Sequence, residues 1–257
     1  MDIGPLAQSC ANAYRSTGEH NGWRKGRNSS RGYDRLTVPG AAWDDGPHDR
    51  YLLLVNQHLS SGAAQLDACG ACVEGGNVSA AATLARAVFV ESSKVSWLLE
   101  ADVGWTARAA RAHLELLHDL DTQVRRLPKR LESGHPNFRR KHWQGQRKQF
   151  RDDVIEKLFG KRALTRDRDE PTLDGQALLT AAHLEEQFAE QVSIRGSEDA
   201  LDTTTNVDPY LLQHSVLVAL TAWLRALEAW VRYNAWETAT VVQLGEQLSP
   251  LRRSAPR

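Results

Sequence analysis

Residues 209–248 read PYLLQHSVLVALTAWLRALEAWVRYNAWETATVVQLGEQL. Within them Val216, Leu220, Trp223, Leu227, Trp230 and Asn234 recur at steps of three and four residues, which places all six on one stripe of an α-helix. Pro209 follows Asp208 at the start of the run, the place where a proline fits a helix. Glu228 and Arg232 add an exposed i,i+4 ion pair. Unbroken to about Leu248, such a helix spans roughly 55–60 Å at its rise per residue.

The same periodicity recurs upstream. Leu52, Val55, Leu59, Ala63, Leu66, Cys69 and Val73 form a second stripe that starts at Asp49 and that Gly75-Gly76 ends. Ser79 is placed to cap a third helix through about Glu100, with Leu84, Val88, Val95 and Leu98 apolar. A fourth helix runs from about Thr106 to Leu131 with Ala110, Leu117, Leu120, Val124 and Leu127 on one face, and Pro128 near its end. The polar stretch HPNFRRKHWQGQRKQFRDD follows, then a short helix over Arg151–Phe159. Another helix begins after Pro171 with Leu173, Leu178, Leu179 and Leu184 as core candidates, and IRGSEDALDTTTN reads as a loop. Strand-length alternation bounded by hairpin turns does not occur. The fold class is therefore all-α, a bundle of five to six helices over residues 49–249 with a long C-terminal helix. Residues 1–48 are rich in Gly, Asn, Ser and Arg and poor in aliphatics, which predicts a flexible polar arm on which Trp23, Tyr33 or Trp43 can dock; residues 250–257 read as a disordered tail.

Composition narrows the function classes. The 257-residue chain has 25% charged and 41% hydrophobic residues, which excludes wholesale disorder. Its 32 basic and 32 acidic residues cancel, which excludes a uniformly basic coat. MDIGPLAQSC lacks a basic region followed by an apolar one, and no long apolar run follows, so a cytoplasmic protein without a membrane span is expected. Three cysteines fit a reducing compartment, and the excess of Arg over Lys suggests a GC-rich bacterial genome. Charge is nonetheless segregated. Residues 121–168 carry 15 basic and 6 acidic side chains, whereas residues 169–257 carry 6 basic and 13 acidic. The two segments can neutralise one another, or the basic one can be a solvated polar loop with no partner. Alternatively Arg139, Arg140, Lys141, Arg147, Lys148 and Arg151, interleaved with Phe138, Trp143 and Phe150, contact phosphates and stack on the bases of RNA or DNA.

Chemistry-bearing motifs are few. Cys69-Gly-Ala-Cys72 lies late in a helical run with no strand before it and no second ligand pair, so it reads as small residues packed between helices. No HExxH, phosphate-binding glycine loop or GxSxG occurs, and no metal or cofactor is expected. Asp44-Asp45 and Asp152-Asp153 read as solvated or helix-start carboxylates.

Residues 84–117, LARAVFVESSKVSWLLEADVGWTARAARAHLELL, carry an Arg, a Glu five residues on, an aromatic-aliphatic helix end and an Arg-rich helix: Arg86, Glu91, Trp97-Leu98-Leu99, Arg108 and Arg111. This pattern resembles an uncharacterised branch of the HEPN superfamily of bacterial helical proteins, and the likeness extends weakly to LTAWLRALEAWVRYN. The resemblance implies a homodimer or a protein partner, a defence or stress setting, and an interaction or regulatory role. In the active members it implies a metal-independent ribonuclease whose Arg-x4-6-His pair acts across a dimer, the histidine moving the ribose 2′-hydroxyl proton and the guanidinium stabilising charge at phosphorus. Arg108 and His113 have that spacing, as do Arg15/His20, Arg111/His118 and Arg130/His135; Arg195, in the later part of the chain where the family's pair usually sits, has no following histidine at the required spacing. Arg86 and Glu91 are further read as a partly buried charge pair that holds helices in register.

Overall fold

The computed structural model of the chain describes residues 3–26, 29–36, 46–126, 140–155, 184, 186–190 and 209–254, and among them all regular structure is helical. In chain order the helices are α1 (Ile3–His20), α2 (Ser30–Leu36), α3 (Gly46–Glu74), α4 (Val78–Leu98), α5 (Trp105–Arg126), α6 (Arg140–Gln149), α7 (Pro209–Asn234) and α8 (Ala239–Ser254). A π-helical turn, Phe150–Ile155, continues α6. None of the described helices is long and apolar enough to cross a membrane. The chain divides into two compact units: residues 1–37, 52–101 and 180–257 in the first, residues 38–51 and 102–179 in the second.

In the first unit α7 is the central element. All six residues of its apolar stripe are buried, with Trp223 and Trp230 almost fully enclosed. α4 lies along α7, and α1, α2 and α8 also pack on it. The stripes read on α3 and α4 are inside as expected, through Leu52, Val55, Leu59, Leu66 and Cys69 on the one and Val88, Val95 and Leu98 on the other. Phe188, in the short described helical stretch 186–190, adds a ring contact to Phe89 with centroids 5.3 Å apart, and Leu184 is buried beside it in the chain.

The predicted polar arm is instead part of this core. α1 buries Leu6, Ala7, Cys10, Ala11, Ala13 and Tyr14. Its small residues make the burial possible, because α1 approaches α3 so closely that a Cβ on Gly70 would stand 2.8 Å from the carbonyl oxygen of Gly4. Trp223 donates its indole N–H to Cys10 O at 2.8 Å, and Trp236 donates to Arg24 O. Further along, Tyr233 donates to the buried Asp34 at 2.9 Å, and Arg31 donates to Asn234 Oδ1 at 3.0 Å. The backbone N–H of Gly26 donates to Asn234 O at 2.7 Å. Buried polar groups need such partners, and the segment read as an arm supplies them.

The single C-terminal helix is two. α7 stops at Asn234 because Ala235 adopts a left-handed backbone, φ 52°. Trp236 N–H then donates to Val231 O at 2.9 Å and Ala235 N–H to Arg232 O at 3.0 Å, the paired reverse bonds that close a helix C-terminus. Trp236 also packs edge-on against Trp230, 5.9 Å between centroids, which supplies the apolar contact such a cap favours. α8 then runs past Pro250 to Ser254, where a tail was expected. α3 ends in the same cap with Gly76 at φ 70°, as Gly75-Gly76 foretell, but Asn77 and not Ser79 caps α4, accepting from Ala80 N–H at 3.2 Å. Phe138, Arg139, Arg195 and Leu173 to Leu179 lie outside the described residues.

Candidate functional site

Arg86 and Glu91 lie on different faces of α4. Five residues on one helix put the two side chains about 140° apart. Arg86 is exposed on α4, whereas Glu91 accepts a 2.6 Å hydrogen bond from Nδ1 of His58 on α3. The register-holding contact anticipated for Glu91 is thus made with a histidine 33 residues earlier.

The candidate catalytic residues lie in the second unit, on α5. The start of this helix is enclosed on all sides: Trp105 and the alanines 109, 110 and 112 are buried, and so are Arg108, Arg111, His113 and Glu115. Farther along, Leu117 and Leu120 of the predicted apolar face are only half-buried. Burying four polar side chains in two turns obliges each to be held, since a charge without partners costs several kcal/mol in such surroundings. Arg108 donates from Nη1 to Val103 O at 2.6 Å, across the turn that precedes the helix.

His113 is fully buried. Its Nδ1 meets Ala109 O at 2.7 Å, and its Nε2 meets Nε of Arg50 at 3.5 Å. A carbonyl only accepts and a guanidinium only donates, so the ring is neutral with its proton on Nδ1. The ring also stacks on Phe150, centroids 5.8 Å apart and planes 9° from parallel. Burial lowers its pKa to about 4; the Ala109 bond opposes that shift and the Arg50 charge reinforces it. Arg108 and His113, again five residues apart, point to different sides of α5. The two residues share a helix but no common face for a phosphate.

The basic segment has a different character. Residues 140–150, read as a polar stretch before a short helix from Arg151, are helical as well. α6 buries no residue and contains Arg140, Lys141, Arg147 and Lys148 with no carboxylate. Arg147 pairs with Asp121 of α5, and Arg151 donates to its neighbour Asp152 at 2.9 Å. Lys141 and Lys148 are exposed, and Trp143 is half-buried with its ring edge-on to His142, 5.8 Å between centroids.

Other features carry less chemistry. The three cysteines are free thiols. Burial pushes Cys10 up to about 12 and Cys69 up to about 11, the latter helped by Cys72, and Cys69 donates to Ala81 O at 3.4 Å. Thiols held protonated in this way are poor nucleophiles; Cys69 packs between helices as read from the CxxC spacing, whereas Cys72 is only half-buried. Among the described residues no three His, Cys, Asp or Glu side chains gather as metal ligands. A groove of about 220 Å³ between α7 and α8 has an apolar floor of Leu224, Val241 and Leu248 and a rim that includes Arg225 and Glu228. Glu228 is engaged by Arg232 at 2.5 Å, the i,i+4 pair expected on this helix.

The chain matches no family model, no curated protein and no solved structure.

Proposed function

We propose that this chain is a helical binding module that performs no chemistry at Arg108 and His113, in line with the interaction-module side of the HEPN-like resemblance. The observation that carries this reading is the state of His113. A general base needs a free lone pair within reach of the proton it removes. The lone pair of His113 faces a guanidinium, and the ring has no exposed surface. Burial first, and the Arg50 charge after it, disfavour a proton on Nε2, so the ring stays neutral far below physiological pH. Arg108 is equally occupied, bracing the turn before α5.

The test is incubation of the pure chain with single-stranded RNA in buffer containing a chelator, across pH 5–8. No cleavage is expected, and none that differs between the natural chain and His113→Gln. Cleavage that disappears in His113→Gln, with circular dichroism and melting unchanged, would overturn the proposal in favour of the metal-independent ribonuclease.

A further inference from the structure

We propose that the groove between α7 and α8 is the docking site for a second copy of this chain, whose own α8 lies over it; the proposal rests on the binding-module reading and names the module's partner. α8 packs on α7 and turns Val241, Leu244 and Leu248 inwards. Val242 and Gly245, three residues apart on the adjoining edge of α8, line the groove together with Leu224 and Arg225 of α7. This edge leaves apolar surface uncovered. Val242 is 54% exposed, and among the described residues only Trp23 and Leu53 share that condition as large apolar side chains. Gly245 points the same way. A Cβ there would meet nothing within 4 Å, so packing inside the chain does not call for glycine, which weakens a helix relative to alanine. At Gly62 and Gly70, by contrast, the missing Cβ makes room for Trp223 and for α1. The open backbone at Gly245 suits close approach by a helix from outside.

The charges choose the occupant. Arg225 on the α7 rim and Glu246 on the outer side of α8 are both exposed, and among the described residues neither has an ion-pair partner. Glu228 beside them is held by Arg232. A ligand of one sign, a fatty acid or a polyanion, would be attracted by one of the two free charges and repelled by the other. A second copy brings both signs. Glu246 follows Val242 by one turn, on the side of α8 away from Leu244 and Leu248. An α8 laid antiparallel over the groove with its Val242 turned in therefore presents its Glu246 to α7, where Arg225 stands. A two-fold axis makes that contact twice, Arg225 of each copy with Glu246 of the other. One face of a 16-residue helix, about 24 Å long, is modest beside the roughly 800 Å² that each partner of a stable dimer buries. The association is thus weak and follows concentration.

The experiment is sedimentation velocity of the full chain at low salt, from about 1 to about 100 μM. The mass should rise from the monomer's 28.6 kDa towards twice that value. Val242→Asp, which sets a carboxylate in the apolar contact, should weaken association more than about tenfold, and Gly245→Leu, which fills the groove, should do the same. Both should melt with the natural chain at the lowest concentration, because Val242 is exposed and a side chain at Gly245 meets open space. Arg225→Glu and Glu246→Arg should each lose self-association, whereas their equimolar mixture should recover it, since opposite charges then face each other in both contacts. A mass that stays monomeric throughout, association untouched by Val242→Asp, or a mixture no better than its components would each overturn the proposal. Those results leave the non-catalytic reading of Arg108 and His113 standing. Conversely, His113-dependent RNA cleavage sinks that reading without changing the mass.

Discussion

His113 shows how little a residue's identity says about its use. Spacing offers it as half of an Arg/His pair, yet both of its ring nitrogens meet partners inside the fold. Nothing in the run RAARAH distinguishes the two, because Arg50 and Phe150 approach from sequence positions 63 and 37 residues away. The environment has a measurable consequence. Unfolded, the imidazole titrates at its ordinary 6.5; folded, it titrates at about 4. Between those values the unfolded chain binds a proton that the folded chain refuses, so stability falls as pH drops through that window and is insensitive to this group above it. The full loss is about 3 kcal/mol. Urea unfolding at pH 7 and pH 4 should show His113→Gln losing less stability than the natural chain by roughly that amount; equal losses would mean the ring is not buried neutral.

Helix boundaries depend on one or two residues, and these are where periodicity misleads. The stripe from Val216 to Asn234 continues in phase towards Leu248, and only a left-handed residue interrupts it. Such breaks are usually written with glycine, as at Gly76, and that one was legible. At Ala235 the signal is absent, because the conformation is enforced by Trp236 packing on Trp230 and bonding to Arg24 O, both contacts made after the chain has folded. An L-residue pays roughly 1–2 kcal/mol for that backbone, of which glycine recovers most while adding unfolded-state entropy. Ala235→Gly should therefore raise the unfolding free energy by up to about 1 kcal/mol, read from the denaturation midpoint. A fall would mean that the two helices are one.

At the scale of the whole molecule, the largest revision concerns residues 3–36. Their composition reads as an arm because the apolar content is modest, but small residues let a helix of low hydrophobicity sit deep in a core. α1 and the segment after it hold the acceptors for two indole N–H groups and the amide and guanidinium partners of Asn234. Deleting residues 1–26 would strand buried donors at about 1–3 kcal/mol each and expose the α7 surface that Leu6, Cys10 and Tyr14 help to cover. The truncated chain should lose its cooperative thermal transition, whereas an arm could be removed without effect on the melting temperature.

The order of residues along the chain was enough to establish an all-helical fold, the faces of α3, α4 and α7 that go inside, the glycine-closed end of α3 and the basic character of α6. Each of these rests on a local period, a local backbone preference or a local charge count. Tertiary structure alone decided that α1 belongs to the core, that Glu91 bonds His58, that α7 and α8 part at Ala235, and that Arg108 and His113 are held inside. These outcomes depend on contacts between residues tens to hundreds of positions apart, where the free energy of burial and of satisfied polar groups outweighs what neighbours in the chain prefer.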